Sequence, residues 1–381
     1  MKGDGRVQEK KRPSRKKQTK FAVVGAGHGG LAMAGALALK GYEVNLFNKT
    51  FERIKFVKMA GGVHVSGAME GFGKLAAITT DIAEAITDVN VIMVVIPAVG
   101  HKYVAEISAP HLADGQTVVL NPGRTGGAME FSATLNRNGV KADVTVAEAQ
   151  TFIFASRTTG PAQAHIYGIK HIVSVASLPA IKAEAVISLL RPVFPQYVKA
   201  ENVLKTSFDN IGAIFHPAPT LLNSGRIEST AGNFDYYHEG ITPAVASIIE
   251  EMDRERMAVA RALGIEPLSA FEWLDAAYGA TGATLYEAIQ NNEGYKGLQA
   301  PATLQHRYIF EDVPASLVPI ASIGEMLGVE TKTIKSIISL ASAVHGVDYW
   351  QTGRTVERLG IAGMKPEEIA AAVSNGLGFN R

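Results

Sequence analysis

Residues 21–39 read Phe-Ala-Val-Val-Gly-Ala-Gly-His-Gly-Gly-Leu-Ala-Met-Ala-Gly-Ala-Leu-Ala-Leu. An apolar, Val-containing run stops at a Gly-x-Gly-x-x-Gly turn, and an Ala- and Leu-rich segment of helical character begins at once. Strand, glycine turn and helix in that order open a dinucleotide-binding βαβ unit. Gly25 permits the tight turn, and Gly27 lets the backbone approach a pyrophosphate. Gly30 lets the helix pack closely on its strand, with His28 and Gly29 at the helix start. The free N–H groups and positive dipole end of that helix suit phosphate oxygens. Glycine turns are common, so the pattern takes its weight from context: a strand before it, a helix after it, and a second strand over 43–47.

Working outward, the position about 20 residues past the glycines is where an acidic residue would bind a ribose 2′-hydroxyl. It is Asn48, followed by Lys49 and Arg53. No carboxylate repels a 2′-phosphate there and two cations are close, which favours NADP over NAD. Residues 61–69 alternate like hairpin material outside the main sheet. Short strand 76–79 and helix 81–86, capped by Thr80 or Asp81, precede the β-branched strand 89–96. Ligands of a doubly wound sheet sit at the carboxyl ends of its strands, so Pro97 and Ala98 are expected beside the nicotinamide. Strand 116–120 exits through Asn121-Pro122-Gly123-Arg124-Thr125-Gly126-Gly127 into helix 128–136. Strands 144–149 and 167–176 and helix 180–190 complete an α/β domain over residues 21–198.

From residue 199 strand-like runs give way to i, i+3, i+4 apolar spacing. Helical segments are expected at 203–222, 242–263, 268–278, 284–290, 318–327, 332–345, 355–359 and 366–374. Thr242-Pro243 is the start signal of the second and Gly264 its stop. The charges of residues 251–256 read as its solvated face. The fold class is therefore α/β, an N-terminal doubly wound (Rossmann-type) dinucleotide-binding domain followed by an all-α C-terminal domain over 199–381.

Composition narrows the function classes. With 47% hydrophobic and 19% charged residues in 381, the chain can bury large cores. A formal net charge of +1 gives the body no electrostatic case for nucleic acid or membrane. Without cysteine, disulfides and thiolate metal sites are excluded. No apolar run reaches the length of a membrane span. Residues 1–20 differ, with nine Lys/Arg against Asp4 and Glu9. They read as a solvated basic tail. With no apolar core to that segment it is not a secretory signal, so a cytoplasmic protein is expected.

Ten histidines offer acid–base groups near neutral pH. His216 stands out within Asn210-Ile211-Gly212-Ala213-Ile214-Phe215-His216-Pro217-Ala218-Pro219, just past the domain boundary. Two prolines within a turn imply a broken helix that could aim the imidazole into an interdomain cleft, although a structural histidine fits the same pattern. No His/Asp/Glu group has metal-ligand spacing. A second cluster, Gln305-His306-Arg307-Tyr308-Ile309-Phe310-Glu311-Asp312-Val313-Pro314, crowds charges before an apolar helix.

The glycine start, Asn121-Pro122-Gly123-Arg124, the Asn210…His216-Pro217 segment and Arg307-Tyr308…Glu311-Asp312-Val313-Pro314 together resemble the octopine/nopaline (opine) dehydrogenase family. The likeness runs in order from residue 21 to about 360. It implies an NAD(P)H-dependent reductive condensation of an amino acid with a 2-oxo acid and a helical domain like the C-terminal domain of 6-phosphogluconate dehydrogenase. It also implies a His216–Asp312 acid–base dyad, with Arg307 holding the oxo-acid carboxylate. The expected partners are small molecules, with a homodimer allowed for. Two other readings stay open: a ketopantoate-type or 3-hydroxy acid reductase using a lysine such as Lys205, and a non-catalytic NAD(P)-binding regulator.

Overall fold

The computed structural model describes residues 19–376. All but the last two residues of the expected basic tail lie outside that range. The strands are β1 (Lys20–Val24), β2 (Glu43–Phe47), β3 (Gly62–Gly67), β4 (Gly71–Lys74), β5 (Ala77–Thr79), β6 (Val91–Val94), β7 (Thr117–Leu120), β8 (Thr145–Ala149), β9 (Phe154–Gly160), β10 (Gln163–Ile169), β11 (Val173–Leu178) and β12 (Tyr197–Lys199). Eight of them form one sheet in the order β12-β11-β8-β7-β6-β1-β2-β5, parallel except where β11 meets β8. Every residue of β6 and β7 is buried. Such apolar runs are what a parallel sheet needs when both faces are covered.

The first helix, α1 (His28–Leu39), is apolar on all sides rather than on one stripe, and eight of its residues are buried. A second sheet explains this. Strands β4, β3, β10 and β9 form a four-stranded layer on the far side of α1. Small residues let it come close: a Cβ on Gly35 would lie 2.4 Å from Val65 Cγ2. The hairpin material expected at 61–69 is β3 of this layer. The single strand expected over 167–176 is two strands in different sheets, because the chain turns at Lys170, whose N–H bonds to the Ile153 carbonyl (2.9 Å). Strand β12 is an addition that three residues could not signal.

In the helical half the expected helix 203–222 is broken into Val203–Phe208, Gly212–Phe215 and Pro217–Leu222. The second break falls at His216, because Pro217 has no N–H and crowds the turn before it. The 20-residue helix Pro243–Ala262 starts where Thr242 accepts from the Val245 N–H. Its charged run is not a solvated face. Asp253, Glu255 and Arg256 are all buried. Arg256 donates to Asp253 (Nε, 2.8 Å) and to the carbonyls of Phe208 and Leu268. Glu255 accepts from the Thr333 and Ile334 N–H groups (2.7 and 2.8 Å), capping the helix Lys332–His345. These charges bind neighbouring segments together.

Candidate active site

The glycine turn is shaped by close approach. Gly25 has φ +115° and a Cβ there would lie 2.4 Å from the Val95 carbonyl oxygen; a Cβ on Gly30 would lie 1.8 Å from that of Gly25. A Cβ on Gly27 would meet nothing within 4 Å, so its backbone faces open space where a pyrophosphate would pass. His28 leans back onto β9, its Nδ1 accepting from the Thr158 N–H (2.9 Å). Burial first, then Arg157 and Arg53, lowers its pKa.

Asn48 has a structural task. Its Oδ1 accepts from the Ala26 N–H (3.2 Å) and its amide donates to the Thr50 carbonyl (3.0 Å), bracing the glycine turn. Lys49 and Arg53 remain exposed, with the Lys49 Nζ 5.4 Å from the centre of the Tyr103 ring. Beside them a hollow of about 380 Å³ is lined by Phe47, Lys49, Ile82 and Tyr103, among others. A hollow flanked by aromatic rings at the end of β2, with Lys49 and Asp81 both in its lining, fits the adenosine half of a dinucleotide, and the glycine turn fits its phosphates.

Past β6, Pro97 is exposed and Ala98 buried. The Ala98 N–H donates to Glu311 Oε1 (3.0 Å) and its carbonyl accepts from Arg354 (3.0 Å). Ala98 therefore ties this corner to the helical half and offers a ligand no free backbone polar group.

The same interface holds the dyad. His216 Nδ1 lies 2.8 Å from Asp312 Oδ2, and the Arg124 guanidinium lies 3.1 Å from Asp312 Oδ1 and 3.4 Å from Glu311 Oε1. Asp312 sits where the helix Arg307–Phe310 gives way to a π-helical turn, Val313–Leu317, around Pro314. Asn210 accepts from Arg124 (3.4 Å) and donates to Ser316 Oγ (2.9 Å). Gly212 is required here, because a Cβ would lie 2.8 Å from Arg124 and 3.2 Å from the imidazole. Tyr308 stacks on the imidazole, centroids 4.0 Å apart, and the Tyr236 hydroxyl donates to the His216 carbonyl (2.8 Å).

Electrostatics set the protonation states. Burial works to raise the Asp312 carboxyl, but Arg124, His216 and Arg307 hold it below the usual carboxylate range. A carboxylate only accepts, so His216 Nδ1 carries the proton and Nε2 keeps its lone pair. Burial, with Arg124 and Arg307 adding to it, outweighs Asp312 and lowers the His216 pKa, so the ring is neutral at neutral pH. Its side chain is 14% exposed while that of Asp312 is 0%. Among the described residues Nε2 has no hydrogen-bond partner, and it is not sealed from solvent.

Arg307 is exposed, has no ion-pair partner among the described residues, and its charge reaches His216, Asp312 and Tyr308. Lys205 instead pairs with Asp209 (2.7 Å). Sequence reasoning quoted Arg124 and Glu311 without giving either a task. The signal was a lone arginine in the glycine-rich exit of a buried strand. Glu148 lies beneath, accepting from the Ala128 N–H (2.8 Å) and Thr206 (2.6 Å), and burial raises it to about 7. Trp273 and Tyr278 pack on each other and on Phe215 and Tyr295.

Known proteins carry the same build. Residues 199–345 match the family model of the NAD/NADP octopine/nopaline dehydrogenase alpha-helical domain, and residues 20–125 match the NAD binding domain of 6-phosphogluconate dehydrogenase. The opine dehydrogenase of Arthrobacter sp. (strain 1C) is 41% identical over 354 residues, covering 93% of this chain and 98% of that protein. An octopine dehydrogenase structure in complex with NADH and agmatine shares the fold, with a TM-score of 0.78 at 22% identity over 94% of this chain and 98% of that one. A ketopantoate reductase from Ralstonia eutropha JMP134 is more distant, with a TM-score of 0.62 at 18% identity over 86% of this chain and 99% of its own. The chain belongs to the opine dehydrogenase family of NAD(P)-dependent oxidoreductases acting on CH–NH donors.

Proposed function

We propose that this protein joins the amine of an amino acid to a 2-oxo acid and reduces the resulting imine, using NADPH in preference to NADH, with His216 and Asp312 moving the protons. The observation that carries this reading is the His216–Asp312 contact of 2.8 Å, which leaves Nε2 without a hydrogen-bond partner among the described residues. A neutral imidazole can take a proton from the substrate ammonium, freeing the amine lone pair to attack the oxo carbon. The same Nε2–H then protonates the carbinolamine hydroxyl, which leaves as water. Positioned proton transfer of this kind is worth roughly 10²–10⁴ in rate. Asp312 fixes the tautomer and steadies the imidazolium that forms in between.

Arg307 is suited to grip the oxo-acid carboxylate, since an unpaired guanidinium binds a carboxylate two-pronged and holds it in one orientation. Gly25, Gly27, Gly29 and Gly30 would seat the pyrophosphate, and the surfaces of Pro97 and Ala98 would flank the nicotinamide. The nicotinamide, when bound, supplies the hydride that reduces the imine. Because Asn48 is engaged with the turn, β2 ends without a carboxylate for the ribose; Asp81 in the lining of the hollow accepts from the Ala83 N–H, and Lys49 and Arg53 favour a 2′-phosphate.

The test is NADPH consumption with pyruvate or 2-oxoglutarate, alone and with each of a panel of amino acids. Consumption is expected only when both substrates are present. Turnover with the oxo acid alone would overturn the reading in favour of a simple 2-oxo acid reductase.

A further inference from the structure

The Tyr308 ring lies flat on the imidazole of His216, centroids 4.0 Å apart and planes 13° from parallel. Other contacts fix it there. His306 meets the same ring edge to face (4.4 Å, 87°), and its Nδ1 accepts from the Tyr308 N–H (3.4 Å). Tyr236 packs against it at a tilt (5.4 Å, 40°), while the Tyr236 hydroxyl donates to the His216 carbonyl (2.8 Å). Asp312 meets the imidazole at its edge, at Nδ1 (2.8 Å), so carboxylate and ring face do not compete for it. The Tyr308 hydroxyl, by contrast, has no hydrogen-bond partner among the described residues. The packing organises the ring and leaves its hydroxyl unused.

The reaction proposed above asks for a charged imidazole. Nε2 takes a proton from the substrate ammonium and gives one to the carbinolamine hydroxyl, and between these steps the ring is an imidazolium. Its surroundings oppose that charge. Burial is the largest effect, and the positive charges of Arg124 and Arg307 add to it. His306, half-buried nearby, is pushed down to about 4 by burial and stays uncharged at neutral pH. Burial pushes Tyr236 and Tyr308 up, so both keep their protons. Among these groups Asp312 favours the imidazolium, and it is shared with Arg124 (3.1 Å). Glu311 also faces Arg124 (3.4 Å). The face of an aromatic ring is negative at its centre and attracts a cation without carrying a charge of its own. Lying parallel at 4.0 Å, the Tyr308 ring offers that face to the whole of the delocalised imidazolium charge.

We propose that Tyr308 is a positioning residue whose ring face seats the His216 imidazolium between the two proton transfers, its hydroxyl being dispensable. The place of this seat in the reaction rests on the condensation reading. The seat itself rests on the stacked geometry.

The first measurement titrates His216 by NMR in the full-length protein labelled with ¹⁵N-histidine, the signal being the one lost in His216→Gln. Tyr308→Leu covers the imidazole without a π face and should weaken proton binding at His216 by roughly two- to thirtyfold. Tyr308→Phe should stay within about twofold of the unaltered protein. Tyr308→Phe with a pentafluorinated ring keeps the shape but reverses the charge of the face. It should weaken proton binding at least as much as Tyr308→Leu. The sign is decisive, because loss of a ring that only shut out water would admit water and tighten proton binding. In turnover with both substrates, Tyr308→Leu should move the acid limb of kcat/KM to lower pH and lower kcat at least about threefold. Tyr308→Phe should restore both. Proton binding that is unchanged or tighter in Tyr308→Leu and in the fluorinated variant overturns the assignment, as does a Tyr308→Phe as impaired as Tyr308→Leu. If turnover needs both substrates yet the titration ignores the ring, the assignment alone falls. If the oxo acid alone is turned over while the titration follows the ring, the condensation reading falls and the seat stands.

Discussion

Arg354 and Arg124 both lie buried where the two halves meet, and they are satisfied to different degrees. Arg354 donates from Nε to Glu130 (2.7 Å), from one terminal nitrogen to the carbonyls of Gly123 and Thr125 (2.9 and 3.1 Å), and from the other to Ala98 and His101 Nδ1 (3.0 and 2.9 Å). Glu130 also meets Arg358. Every part of that guanidinium is used. Arg124 reaches Glu311 and Asn210 at 3.4 Å, and its 3.1 Å approach to Asp312 Oδ1 is an ion pair without an aligned hydrogen bond. Beyond it, His216 keeps a bare nitrogen. The saturated knot is a clasp. On the proposed reading, the loose one holds charge ready to respond when a proton moves, as perturbed groups at working sites do.

Breaking the clasp should produce the largest change in stability. Arg354→Met leaves Glu130 buried with its Arg354 charge pair gone, a loss of about 3–5 kcal/mol, read as a fall in melting temperature on the order of 5–10 °C. A melting temperature equal to that of the unaltered protein would mean the two knots do not differ as described.

A smaller, sharper difference concerns pH. Asp312 is the group that raises His216 against burial and the two arginines. Asp312→Asn removes that support, so the imidazole should lose its proton at still lower pH. The acid limb of kcat/KM against pH should then move down while its plateau drops. A limb that moves up, or stays in place, would remove Asp312 from its task.

Much of the fold was legible because it is local. The strand, glycine turn and helix of residues 21–39 follow from β-branched and glycine chemistry within a few residues. The second sheet was only half legible, since β3 pairs in parallel with β10 about a hundred residues later and no local pattern encodes that register. Its indirect sign was α1, apolar all round and so covered on every side. The charged run in the helix Pro243–Ala262 misled because charge usually marks solvent. Yet Ile249, Met252, Arg256, Val259 and Ala260 share one helical stripe, which placed Arg256 inside. At the site, Pro217 signalled the break that positions His216. The pairing with Asp312, 96 residues away, came only from likeness to a family. The support from Arg124 came from neither.

The most direct test of the central claim, that the loosely held knot moves protons while the saturated one holds the halves together, is the turnover of His216→Ala with both substrates saturating. A loss of roughly 10²–10⁴ in kcat is expected, with a melting temperature within about 2 °C of the unaltered protein. A kcat within about tenfold of the unaltered protein would contradict it.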